Sequence, residues 1–155
     1  LRISISAILL YQFGRLGITA GVHRLWSHRS YKAKWPLRLI LTFFSTLAFQ
    51  HSVIDWAKDH RLHHKFSETD ADPHNAKRGF FFSHVGWVLC RRHAQVEEKL
   101  NQIDVSDLWA DPILKYQHKY YYSLMFLICF VMPTFIPMYF WDETFENAFH
   151  INLFR

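Results

Sequence analysis

Between Tyr120 and Trp141 the chain runs for 22 residues without a charge. About 20 such residues are what an α-helix needs to cross the hydrocarbon of a bilayer. A backbone in that medium must satisfy its own hydrogen bonds, which a helix does. Interfacial aromatics stand at both ends: Tyr120, Tyr121 and Tyr122 on one side, Tyr139 and Trp141 on the other. Pro133 and Pro137 predict a kink that membrane helices tolerate. The net charge of +5 taken alone would admit a basic nucleic-acid-binding module. The uncharged span contradicts it, so no nucleic-acid partner is expected. Lys115 and Lys119 precede the span, and Asp142, Glu143 and Glu146 follow it. The positive-inside rule then predicts residues 23–119 on the cytosolic side.

The remaining charge supports the same layout. Fifteen of the 18 Lys and Arg, ten of the 13 acids and ten of the eleven His lie between His23 and Lys119. Residues 3–22 are predicted to form a first transmembrane helix, in which Arg15 must snorkel or face protein. Residues 37–54 form a shorter apolar stretch that suits a membrane-associated helix, with Pro36 in its first turn. Residues 145–155 look like the start of a further transmembrane helix. The expected fold class is therefore all-α: integral membrane helices with a cytosolic helical cap. Residues 67–75 are rich in turn formers and predict an acidic surface loop containing Glu68, Asp70 and Asp72. Residues 79–87 carry a dense aromatic run, expected to pack on the core or dip into the membrane surface. Cys90 and Cys129 form no CxxC pair, so no disulfide scaffold is expected. The sequence opens without Met in mid-apolar composition, and an internal segment of a longer domain is the expectation.

Within the polar region histidines cluster. His60, His63 and His64 are spaced three and four apart, so a helix places them on roughly one face. Neutral imidazoles on one face can hold a metal ion. A polar, solvated helix face explains the spacing equally well. His23 and His28 are five apart and do not share a face of an ideal α-helix, although they can converge if the helix ends between them.

H-R-L-W-S-H at 23–28 and H-R-L-H-H at 60–64 resemble the first two histidine boxes of membrane-bound acyl-CoA desaturases, most closely the Δ9 (stearoyl-CoA) type of animals, insects included. The flanking G-I-T-A-G (17–21), D-A-D-P-H-N (70–75) and G-F-F-F-S-H-V-G-W (79–87) are similar to the same family. The resemblance covers essentially the whole sequence. It implies a di-metal site of two irons, O₂ as oxidant, and electrons from NADH through cytochrome b5 and its reductase. It also implies a multi-pass endoplasmic reticulum protein whose histidine boxes face the cytosol. Its product is a cis double bond in a long-chain acyl-CoA. By the same resemblance, His23, His28, His60, His63 and His64 match iron ligands. Lys58, Asp59, Arg91 and Arg92 match contacts to acyl-CoA, with Lys58 replacing a common Arg. Gln50 and Trp56 match the neighbourhood of the bent acyl tunnel. His51 stands where mammalian Δ9 enzymes carry Asn, and Arg15 where a small apolar residue is usual. His74, His84, His93, His118 and His150 are expected to be structural or solvated. The family's third box, of H-N-x-H-H type, and its N-x-x-x-H element do not occur in the sequence. The five ligands are thus an incomplete set, and the isolated segment is expected to be inactive. A membrane di-iron hydroxylase and a non-catalytic zinc-binding membrane protein are the alternatives.

Overall fold

A computed structural model describes residues 2–154. Among the described residues every regular element is helical, and none is a strand. Helix α1 spans Arg2–Ser27. It therefore runs five residues past the expected end at 22 and carries His23 on its last turns. Its first part, Arg2–Leu16, is α-helical, and Gly17–Ser27 is a π-helix. The looser register is visible in its bonds. The His28 N–H donates to the His23 carbonyl at 3.0 Å, and Ser27 Oγ donates to the Val22 carbonyl at 2.8 Å.

Helix α2, Trp35–Leu47, packs antiparallel on α1. The order of contacts shows the direction: Gly14 faces Ala48, Gly17 faces Phe44 and Ser45, and Gly21 faces Leu41. At Gly17 the two backbones nearly touch. A Cβ there would sit 2.3 Å from the Phe44 carbonyl carbon and from the Ser45 nitrogen. Small residues that let backbones approach are how apolar helices gain packing energy where lipid removes the hydrophobic drive.

The apolar composition continues to Ile54, but the helix does not. Phe49 and His51 adopt φ of 56° and 67°. Ser52 then caps a new helix, its Oγ accepting from the Asp55 N–H at 3.2 Å. The continuous helix expected over 37–54 is thus two helices with a turn, because an N-cap signal overrides the run of apolar residues. Helix α3, Val53–Phe66, buries Val53, Ile54, Ala57 and Leu62. Val53, Ile54 and Ala57 join Val22, Leu25, Trp26 and Leu41 in the core, closed by Leu108 and Leu114. Those last two come from α5, Ser106–Trp109, and α6, Pro112–Lys119; α4, Ala94–Leu100, lies before them. Buried Gln117 of α6 joins the two helices around the turn. It accepts from the Val53 N–H at 3.0 Å and donates to Thr46 Oγ1 at 3.1 Å.

Helix α7, Tyr121–Trp141, is continuous through both prolines, with a π segment at Leu127–Val131. Helix α8, Phe145–Leu153, returns against α7 and α1. Asn152 Nδ2 donates to the Cys129 carbonyl at 2.9 Å, and the Cys129 thiol contacts the Thr46 carbonyl of α2 at 3.2 Å. Among the described residues α1 and α7 are long and apolar enough to cross a membrane. Their outer faces expose Ile8, Leu9, Phe126, Phe135 and Phe140. The aromatic run does not fold onto the core: Phe80 is 82% exposed and Phe81 69%. Phe82 is covered by the Arg78 guanidinium, 3.6 Å from its ring centre.

Candidate metal centre

Four imidazoles converge where the end of α1 meets the middle of α3. His28 Nε2 lies 3.2 Å from His23 Nε2 and 3.1 Å from His60 Nε2, and His60 Nε2 lies 3.1 Å from His64 Nε2. One ring nitrogen from each of the four falls within 4.8 Å of the others. The π register explains the first pair. Bonding from i to i+5 brings residues five apart into line, so His23 and His28 share a face that an α-helix denies them. The helix also ends between them, at Ser27, with His28 as its C-cap. Spacing four apart aligns the second pair on α3.

The His63 ring stays beside the others, its centre 6.0 Å from that of His60 and 5.4 Å from that of His64, but its nitrogens fall outside the four-histidine group. It turns to the loop after α3, where its Nδ1 lies 2.9 Å from Asp72 Oδ1. His63, Asp72 and His74 form a separate group within 4.8 Å. Asp72 is buried, at 3% exposure, so the expected acidic surface loop is overturned at this residue. The reason is local: Asp72 Oδ1 accepts from the His74 N–H at 3.1 Å, an Asx turn across Pro73, which folds the carboxylate inward.

Electrostatics favour the neutral form of His28, His60 and His64. Burial, then the neighbouring imidazoles, push His60 down to about 3. The same causes lower His28 and His64. A neutral ring offers a nitrogen lone pair, which is what a metal needs. Nitrogens held about 2.1 Å from one ion and about 90–110° apart lie roughly 3.0–3.4 Å from each other. The observed 3.1–3.2 Å spacings fit that arrangement.

The other expected residues separate into two groups. Trp56 stacks on His60, ring centres 4.7 Å apart, and its Nε1 donates to Gln50 Oε1 at 3.3 Å. Gln50 lines a cavity of about 480 Å³ between α1, α2, α7 and α8, whose wall includes Ile18, Leu47, Phe130 and Arg15. The Arg15 guanidinium donates to Gln12 Oε1 at 3.2 Å and lies 5.7 Å from the Tyr11 ring centre. His51 is exposed on the turn. In the second group, Asp59 is buried and pairs with Arg92 at 2.7 Å. Burial pushes the Asp59 carboxyl up, against the pull of Arg92. Lys58 is half-buried and Arg91 exposed. Of the histidines expected to be structural or solvated, His74 packs its ring 4.1 Å from that of His63 and 5.3 Å from Trp87, measured between centres. His118 lies 2.9 Å from Ser52 Oγ, and His93 caps α4.

An ion-pair clamp absent from the sequence reading fixes the two halves of the site. Arg61, between His60 and His63, donates to the Trp26 carbonyl at 2.6 Å and to Asp107 at 2.8 and 2.9 Å. Arg29 reaches the same carboxylate at 3.0 Å. Partial burial works to raise the Asp107 carboxyl, but its bonds and attraction to Arg61 and Arg29 overcome this and bring it from 3.8 to about 2. A depressed carboxylate stabilises the fold above its unfolded value and loses that contribution as pH falls through the folded one. The stability advantage of the wild type over Asp107→Asn is therefore full above about pH 4 and disappears toward about pH 2. Thermal unfolding of both proteins across that range measures it; parallel curves would refute the clamp.

The arrangement defines a class: a polyhistidine cluster able to hold a metal ion, set at the end of a membrane-length helix. The fatty acid desaturase family profile matches residues 3–150, and the chain belongs to that family. It is 61% identical over 153 residues to the acyl-CoA Delta-9 desaturase of Acheta domesticus, covering 98% of this chain and 43% of that protein. It is 56% identical over 152 residues to the stearoyl-CoA desaturase of Bos taurus, covering 97% and 42%. With the acyl-CoA Delta(11) desaturase of Choristoneura rosaceana it shares 56% over 151 residues, covering 97% and 45%. The chain spans less than half the length of these curated relatives.

Proposed function

We propose that the protein to which this segment belongs is an acyl-CoA desaturase of the stearoyl-CoA type, an iron-dependent oxidoreductase of the endoplasmic reticulum membrane. The observation that carries the reading is the convergence of four Nε2 atoms next to an apolar cavity, linked to it through Trp56 and Gln50. A methylene in the middle of a fatty acyl tail offers no acidic proton and no leaving group, so acid–base chemistry by amino-acid residues cannot break its bond to hydrogen. Iron bound at these histidines would supply the oxidising chemistry with O₂. In the net reaction the acyl tail loses two hydrogens, and O₂, with two electrons and two protons from outside, becomes two waters. The electron donor in this reading is cytochrome b5, reduced by its NADH-dependent reductase.

The residues then have distinct tasks. His23, His28, His60 and His64 hold one ion, and His63 contributes to a second. Trp56 and Gln50 guide the acyl tail from the metal toward the cavity, whose apolar wall excludes water. Lys58, Arg91 and the Asp59–Arg92 pair lie on the side that meets the CoA moiety, where cations suit its phosphates. The histidines face the cytosol, next to the basic segment.

Expression of the full-length gene in a desaturase-deficient yeast tests this. A new double bond in the cellular fatty acids is expected, and its position gives the regiospecificity. Hydroxylated products would move the assignment to a hydroxylase. Bound zinc without iron-dependent activity would replace it with a structural metal protein.

A further inference from the structure

The carboxylate of Asp72 is fully buried and its contacts are made on both oxygens. Oδ2 accepts from the Glu68 N–H at 3.0 Å, and Oδ1 accepts from the His74 N–H at 3.1 Å. Two backbone donors thus fix the carboxylate in the plane set by the loop. Oδ1 also lies 2.9 Å from His63 Nδ1. A neutral imidazole carries one N–H, and a carboxylate beside Nδ1 draws that proton there. Nε2 is then left with its lone pair. The His74 ring packs 4.1 Å from the His63 ring, centre to centre, and Trp87 backs His74 at 5.3 Å. His63 is thereby held by a hydrogen bond at one edge and by ring packing.

We propose that Asp72 is a positioning residue. It holds His63 as the Nδ1–H tautomer and presents Nε2 as a metal donor apart from the four-histidine group. The inference rests on His63 being a ligand. Carboxylates that orient ligating histidines in this way typically govern metal affinity by about 10- to 100-fold. The Asx turn at Asp72-Pro73-His74 is what aims that carboxylate inward. Asn75 Nδ2 ties the same loop to the Thr69 carbonyl at 2.8 Å.

The test uses the full-length protein in lipid nanodiscs, stripped of metal and titrated anaerobically with Co(II). Its readouts are the number of ions bound, the affinity of each and the Co(II) absorption bands. Wild type is expected to bind two ions. Asp72→Asn is expected to keep the four-histidine ion at unchanged affinity and to bind the other about 10- to 100-fold more weakly, with altered bands. The retained ion doubles as a folding control. Asn75→Ala loosens the same loop without touching Asp72 and is expected to leave both affinities unchanged. Three results overturn the proposal: Asp72→Asn binding both ions like wild type, losing both equally, or being reproduced by Asn75→Ala. A wild type that binds one ion, with His63→Ala unaltered, removes His63 from the ligands and the proposal with it.

Discussion

Replacing His60 by alanine in the full-length protein is expected to abolish fatty-acid desaturation in the yeast assay and to remove one bound ion, while helix content is retained. His60 Nε2 is the link between the α1 pair and His64, lying 3.1 Å from both His28 and His64. Its loss leaves three imidazoles, with His23 and His28 still 3.2 Å apart and His64 within 4.8 Å of both, but removes the nitrogen that bridges them. Removing a group that merely orients a ligand costs about 10- to 100-fold in metal affinity, and removing the ligand itself costs more. The fold tolerates the change because His60 is only half-buried, and Ala57 and Val53, one and two turns earlier on the same stripe of α3, keep their own packing. Trp56 loses its stacking partner, a cost of about 0.5–1.5 kcal/mol. Metal analysis of the purified variant and lipid analysis of the yeast check the two halves. Wild-type iron content together with wild-type product would remove His60 from the centre.

The second large effect is at Gly17. A methyl group there would overlap the backbone of Phe44 and Ser45 at 2.3 Å, where no side chain can rotate away. Overpacking a helix interface costs typically about 1–3 kcal/mol, and more when backbone must move. Gly14→Ala is the comparison. Its Cβ would lie 3.3 Å from Ala48 Cα, a few tenths of an ångström too close. The expected order of thermal stability in detergent is wild type, then Gly14→Ala, then Gly17→Ala, with Gly17→Val failing to accumulate. Gly17→Ala also loses bound metal, because pushing α1 from α2 carries His23 and His28 away from His60 and His64. Equal stability of Gly14→Ala and Gly17→Ala would contradict the close approach.

Local patterns account for much of the design. The uncharged run of 120–141 is a helix from Tyr121 to Trp141, continuous although Pro133 and Pro137 each withhold a backbone N–H. Spacing four apart on α3 does align His60 with His64. The polar stretch after Arg92, with Leu, Ile and Val interspersed, forms the short helices α4 to α6. Other features depend on partners far away in sequence. The break at residues 48–52 needs the Ser52 cap and buried Gln117, 64 positions from the Val53 N–H it accepts. Asp107 is legible only as one acid among 13. Its clamp on Arg61 and Arg29 exists because α5 docks beside the end of α1.

Membrane-length helices and two histidine boxes are legible without any fold, since apolar length and box composition are properties of contiguous residues. How those histidines divide is a tertiary matter. Spacing along an ideal helix could not join His23 to His28, because that pairing needs a π register, which is set where Gly17 and Gly21 bring α1 against α2. Nor could it separate His63 from His60 and His64. That separation comes from a buried carboxylate nine residues on, which only the fold of the intervening loop brings to within hydrogen-bonding distance.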